Sequence, residues 1–148
     1  MAVRTFDPGQ VTVSVDGITI SGYADGTFIN AERTEESFTK VVGADGQVSR
    51  SKSNNRSGMI TITLLQTSPS NETLSALLAR DEKSGNAIVP VLIKDNLGNS
   101  RLFTGTGWIQ KMPNVEYGKE ISNREWVIDC AEMDFNIAGN VGVGVASE

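Results

Sequence analysis

The residues that could do chemistry in this chain form a short inventory. Its 148 residues include no histidine and a single cysteine. Without histidine there is no Ser-His-Asp or Cys-His arrangement, and no ordinary zinc site built on imidazole. Cys130 would need a nearby base to act as a nucleophile. It lies instead in the run Trp126 to Met133, where it reads as a buried structural thiol. With no second cysteine there is no internal disulfide, which fits assembly in a reducing cytoplasm. Glu116 and Glu120 bracket a turn at Tyr117-Gly118-Lys119, and acid/base work by such a pair would require a pocket around it. Asp7, Asp16, Asp25 and Asp45 each precede Gly or Pro, the setting in which Asp serves turns. Gly139, Gly142 and Gly144 spell neither a dinucleotide nor a phosphate-loop fingerprint. Trp108 and Trp126 could stack on a sugar or a base, although core aromatics fit their strand contexts better. The inventory yields no catalytic, cofactor-binding or metal site.

Composition narrows the classes further. The net charge of −5 argues against a protein whose main task is gripping nucleic-acid phosphates. At 39% the apolar share is modest, so either the core is thin or apolar surface is shared with partners. The length predicts one domain over residues 1–148, able to bury roughly 70% of its unfolded surface. No apolar run approaches a membrane span. MAVRTFDPGQ lacks the apolar region of a secretory signal, so export by that route is not expected. In that setting Asn55-Arg56-Ser57 and Asn71-Glu72-Thr73 carry no weight as glycosylation acceptors.

The elements that position these residues are mostly strands. Val11, Val13 and Val15 share one face, Asp16-Gly17 supplies a hairpin turn, and Ile18 and Ile20 resume the alternation. Phe28 and Ile29 open a segment that becomes charged at Glu32, Arg33, Glu35 and Glu36, then returns to strand at Phe38, Val41 and Val42. The stretch from Gly43 to Gly58 is polar, with Arg50, Lys52 and Arg56 set against one acid, Asp45. Ordering so long a loop costs entropy and buries little. It is either a solvated hairpin tip or an arm that orders against another subunit. Ile60, Ile62 and Leu64 then alternate with Thr61 and Thr63, a half-buried strand. Ser68-Pro69 starts a helix, with Leu74, Leu77 and Leu78 on one face, running from Pro69 to about Asp81 and stopping at Ser84-Gly85-Asn86. Ile88 to Lys94 is a strand in which Pro90 implies an edge position or a bulge. Ser100 to Gln110 is another, with Gly105 and Gly107 suggesting a bend or close backbone approach. Glu125 to Asn136 is the last, followed by a Gly-rich tail over residues 137–148. With no βαβ alternation, the fold class is mainly β: an antiparallel β-sandwich or partly closed β-barrel of about seven strands with one flanking α-helix.

The basic Ser/Asn-rich stretch running into GMITITLLQTSPSNETLSAL resembles the tail tube proteins of contractile-tailed bacteriophages. The likeness extends from the Val11 hairpin to the strand near Phe135 and is structural, not catalytic. It implies two packed sheets with a flanking helix, as in the related tube protein of type VI secretion. It further implies a virion structural subunit, assembled in the host bacterial cytoplasm, that forms hexameric rings stacked into a hollow tube. The implied partners are other copies of itself, the tail sheath, baseplate and tail terminator proteins, and DNA passing through the lumen without specific binding. No enzyme activity, cofactor or membrane is implied. The alternatives are a secretion-system tube subunit of the same architecture and a β-sandwich carbohydrate-binding module. On the tube reading, Arg50, Lys52 and Arg56 are candidates for the contact between rings, since they are a local positive charge on an acidic protein. Glu32, Glu35 and Glu36 are candidates for an acidic lumen lining, or else a solvated face.

Overall fold

A computed structural model describes residues 3–140 and 142–143. In chain order its elements are β1 (Val3–Arg4), a 3-10 turn at Pro8–Gln10, β2 (Val11–Val15), β3 (Ile18–Thr19), β4 (Ile29–Arg33), β5 (Phe38–Val42), β6 (Val48–Lys52) and β7 (Gly58–Leu65). They continue with α1 (Ser70–Ser84), β8 (Val89–Asp95), β9 (Arg101–Ile109), β10 (Asn123–Cys130), β11 (Asp134–Asn136) and β12 (Gly142–Val143).

Eight strands form the main sheet in the order β3-β2-β8-β9-β10-β7-β4, with β11 also bonded to β9. Every pairing is antiparallel. The alternation read in β7 is realised in full: Ile60, Ile62 and Leu64 are buried, while Thr61 and Thr63 are half-buried on the other face. Trp126, Ile128 and Cys130 of β10 and Val13 and Val15 of β2 join them in one core. The sheet curls over that core and is sandwich-like rather than a closed barrel. Its end strands β3 and β4 do not pair; the chain between them bridges the gap, Ile20 donating to Val13 and Ala24 to Thr63.

The helix closes the core from one side with Leu74, Leu77 and Leu78. Fully burying each of these side chains is worth about 1.5–3 kcal/mol. Ser68 fixes the helix start: its Oγ accepts from the Ser70 N–H at 3.2 Å and donates to the Ser21 carbonyl at 2.6 Å. Ser70 Oγ in turn accepts from the Ser21 N–H at 2.9 Å. Gly22, at φ 74°, lets the backbone pass this serine pair, since a Cβ there would lie 2.6 Å from that of Ser68. Gly85, at φ 66°, ends the helix in the left-handed conformation, so the helix runs from Ser70, one residue after the expected Pro69, to Ser84, three beyond the expected Asp81.

Pro90 occupies a bulge between Val89 and Val91, where β8 pairs with β9. The edge alternative does not apply, because β8 lies between β2 and β9. Gly107 fits the expected close approach: a Cβ there would meet Val91, Ile128 and the Val89 carbonyl at 3.1–3.3 Å. The expected last strand from Glu125 to Asn136 is two strands, interrupted at Ala131–Met133. There Met133 turns into the core and its N–H donates to the Arg56 carbonyl. In the Gly-rich tail, Gly142–Val143 pairs with Val3–Arg4, while 141 and 144–148 lie outside the described residues.

Candidate assembly surfaces

The stretch from Gly43 to Gly58 is not one loop. Gly43–Gln47 is a turn closed by the Gly43 N–H on the Gln47 carbonyl, with Gly46 at φ 86°. Val48–Lys52 is strand β6, paired with β5 in a separate two-stranded ribbon. Both strands are exposed along their whole length; β5 is the strand expected at Phe38–Val42, whereas β6 lies in the stretch read as loop, where alternation of polar against apolar gives no signal. The pairs Phe38↔Lys52, Lys40↔Arg50 and Val42↔Val48 share one face of the ribbon. Arg50 lies over the Phe38 ring, 4.0 Å from its centroid, a cation–π contact. Of the three basic residues singled out in the sequence, Arg50 and Lys52 stand together on this face. Lys40 joins them and was not anticipated.

Arg56 is placed differently. It sits at the ribbon's base, bonded to the Asp134 carboxylate, with Glu132 at 3.8 Å. Around it the base is pinned by the Thr34 N–H on the Ser57 carbonyl, the Ser53 N–H on the Ser37 carbonyl, and Arg33 donating to the Met133 carbonyl at 2.7 Å. Gly58 marks where the ribbon rejoins the sheet. A Cβ there would run into Met133 and come within 2.5 Å of the Glu32 carbonyl. A cleft of ≈ 420 Å³ opens at this base between Arg33, Glu35, Phe38, Lys52 and Arg56.

The three acids of 32–36 part company. Glu32 lies on the solvent face of β4, opposite Met59, whose other neighbour is Asp129 of β10. Glu125 stands on the same face, opposite Thr63, and Trp108 of β9 flanks Asp129. Across β4, β7, β10 and β9 this face therefore carries Glu32, Glu125 and Asp129, and none of their cross-strand neighbours is Lys or Arg. Glu35 belongs to the ribbon base, where it accepts from Ser53 Oγ at 2.8 Å, and Glu36 is exposed in the same segment. Sequence reading missed Glu125 and Asp129. The inward alternation of Trp126, Ile128 and Cys130 does imply that they point outward; their grouping with Glu32 depends on cross-strand register.

A third surface lies in the connection from β9 to β10. Met112, Val115, Tyr117 and Ile121 are exposed there, Tyr117 at 81%. Arg124 is buried beneath, donating to Ser122 Oγ at 2.7 Å and to the Glu116 carbonyl at 3.3 Å, with Tyr117 over its guanidinium. Gln66 Oε1 accepts from both the N–H and the Oγ of Ser122 at 3.0 Å. Glu116 accepts from Asn114, so its carboxylate is engaged within its own turn.

The chemistry of the remaining candidates is structural. Cys130 is buried and its thiol is pushed up to about 11, chiefly by burial. Trp126 is a core residue, whereas Trp108 is half-buried on the acidic face. Among the described residues no group of three or more metal-ligating side chains converges, and no helix is long and apolar enough to cross a membrane.

Known proteins carry the same fold. The tube-terminating cap of the anti-feeding prophage superposes with a TM-score of 0.61 at 10% identity, covering 92% of this chain and 94% of the other. The sheath/tube terminator of an extracellular contractile injection system, PVC, gives 0.63 at 10% identity over 93% and 100% of the two chains. A chain of the PVC sheath-tube complex gives 0.58 at 11% identity over 89% and 91%. Structural protein ORF10 of Pseudomonas phage KPP10 is 32% identical over 151 residues, spanning 97% of this chain and 87% of the relative. The family of the bacteriophage PhiTE tail tube protein matches residues 6–138. The chain therefore belongs to the PhiTE-type phage tail tube family, and it is a structural protein of that kind.

Proposed function

We propose that this chain forms hexameric rings that stack into the tube of a contractile phage tail, and that DNA passes through the lumen. The β5–β6 ribbon is the observation that supports stacking best. A two-stranded hairpin alone is marginally stable in water, and this one exposes Phe38, Val41, Val42 and Val48, Val41 at 64%. A second subunit would cover those side chains. Arg50 and Lys52, with Lys40, would give the contact a charge preference and so a rotational register between rings. Arg56 would act within its own subunit, fixing the ribbon base against Asp134.

Within a ring, the free edge of β4 is the candidate for lateral contact. Pairing it with a neighbouring subunit would continue the sheet and remove an exposed edge. The sixfold number rests on family likeness alone. The acidic face of β4, β7, β10 and β9 would then be the lumen lining, with Glu32 retained from the sequence candidates and Glu125 and Asp129 added. Sheath and terminator proteins are the expected outer and end partners, since the similar injection-system chains come from a sheath/tube terminator and a sheath-tube complex. A baseplate would seat the other end, with assembly in the host cytoplasm and residence in the virion tail. An injection-system tube is the second reading, favoured by the fold likeness; the phage family match over 6–138 favours the first.

Electron microscopy of the purified chain tests this reading. Rings and stacked tubes are expected, and only monomers across a wide concentration range would refute it. Arg50→Glu with Lys52→Glu should leave folded rings that do not stack. Normal tubes from that pair would remove the ribbon's charges from the contact.

A further inference from the structure

We infer that the surface receiving the β5–β6 ribbon is the β9–β10 connection of a second copy of this chain. The inference deepens the stacking contact and rests on the tube reading. The ribbon leaves the sheet between Arg33 and Gly58, at the end of β7 that pairs with Cys130. The β9–β10 connection ends at Asn123, paired with Leu65 at the other end of β7. Eight residues of β7 separate these poles by about 23 Å, at roughly 3.3 Å per residue. A head-to-tail contact that repeats without limit needs two different, complementary patches on opposite ends of one subunit. Ribbon and loop meet that requirement.

Each patch is also incomplete by itself. The ribbon presents Phe38, Val42 and Val48, and the loop presents Met112, Val115, Tyr117 and Ile121, all large apolar side chains left in solvent. The loop is built to hold them there. Arg124, 7% exposed, ties the Glu116 carbonyl and Ser122 from beneath, and Gln66 fastens Ser122 to the end of β7. Spending a buried arginine on a surface loop makes little sense for a solvated connection and good sense for a preorganised platform. Charge agrees in sign. Lys40, Arg50 and Lys52 line the ribbon's apolar face, and its one acid, Asp45, is engaged by the Gln47 N–H. Glu120 lies in the loop beside Glu116, whose carboxylate already accepts from Asn114, and Glu72 lies in the first turn of the adjoining helix. Lys111 and Lys119 oppose them only in part. Met112 approaches Ser75 of α1, so the platform extends onto that helix.

Cysteine pairs test the contact in the full chain. Val42→Cys combined in turn with Val115→Cys and with Tyr117→Cys places both halves of the contact in every copy, while native Cys130 stays buried. Oxidation of assembled tubes should give a ladder of covalent dimers, trimers and longer chains from at least one pair. Wild-type tubes with no ladder from either pair would overturn the docking alone. A second arm needs no cross-link: Tyr117→Ser with Ile121→Ser should raise the concentration needed for stacking at least tenfold and leave rings and far-UV circular dichroism unchanged. Stacking at the wild-type concentration would likewise refute the platform. A wild-type chain that forms no tubes under any polymerising condition removes the tube reading, and this inference with it.

Discussion

The indole Nε1 of Trp126 donates to Asn71 Oδ1 at 2.9 Å, and this bond joins the centre of the sheet to the first turn of the only α-helix among the described residues. Asn71 also donates from Nδ2 to the Leu65 carbonyl at 2.9 Å, so one amide ties β10, the end of β7 and α1 together. Asn71→Ala would strand the buried indole N–H, while the Leu65 carbonyl keeps its bond from the Ser68 N–H. An unsatisfied buried group costs about 1–3 kcal/mol, so a loss of that size is expected in urea unfolding, with an unchanged slope. A loss below about 0.5 kcal/mol would mean that water replaces the amide there.

Gly58 carries the second prediction. The Glu32 carbonyl stands 2.5 Å from where a Cβ would be, and Met133 fills the remaining space. Met133 can rotate away, but the Glu32 backbone is held in register with β7 and cannot. Gly58→Ala should destabilise the fold by about 1–3 kcal/mol, the range for overpacking. It should also loosen the ribbon base, seen as faster hydrogen exchange at the Thr34 and Met133 amides. Wild-type exchange at both would show that the base tolerates the methyl group.

Much of this architecture was legible because it follows from strict alternation. β2, β7 and the inward half of β10 follow from side chains repeating every second residue. The helix bounds follow from cap chemistry, with Ser68-Pro69 just before Ser70 and Gly85 just after Ser84. The ribbon strand β6 was not legible, because Val48, Arg50 and Lys52 alternate with serines that are equally exposed. Where neither face is buried, hydrophobic periodicity has nothing to report. The break at Ala131–Met133 was hidden for a related reason. Met133 is as apolar as a strand residue, and only its fit beside Gly58 and the Arg56 carbonyl shows that the chain turns there. The acidic face needed register, which joins Glu32 to Asp129, 97 positions apart in sequence, through Met59.

Cys130 gives a prediction in pH. Burial holds its thiol above the ordinary 9.0, at about 11, so the folded chain binds that proton more tightly than the unfolded one. The resulting stabilisation is complete below about pH 9 and is lost as pH rises through about 11. The urea midpoint of the wild-type chain should fall across that window more steeply than that of Cys130→Ala. At pH 8 the native thiol should resist iodoacetamide and react promptly after denaturation. Rapid native alkylation would contradict the burial.

The last prediction concerns the acidic face and follows from the lumen reading. A conduit for DNA works best when its wall does not hold the cargo, because phosphates meeting Lys or Arg release counterions and bind. Glu32 on β4 and Glu125 and Asp129 on β10 present carboxylates on either side of β7, and repetition around a ring would make the wall repulsive. Salt would moderate that repulsion over about 8–10 Å. Glu32→Lys with Asp129→Lys should preserve the fold, since Glu32 is exposed, Asp129 is half-buried with only the Gln110 amide bonded to its carboxylate, and the core lies on the other side of the sheet. Tubes should still assemble, but they should retain short duplex DNA with an affinity that falls steeply as salt rises. Virions carrying them should eject their genome slowly or stop part-way. Glu35→Lys with Glu36→Lys, at the ribbon base, should alter stacking instead and leave DNA retention unchanged. If the two pairs exchange these phenotypes, the lumen lies against the ribbon base and the sheet face belongs to the outside of the tube.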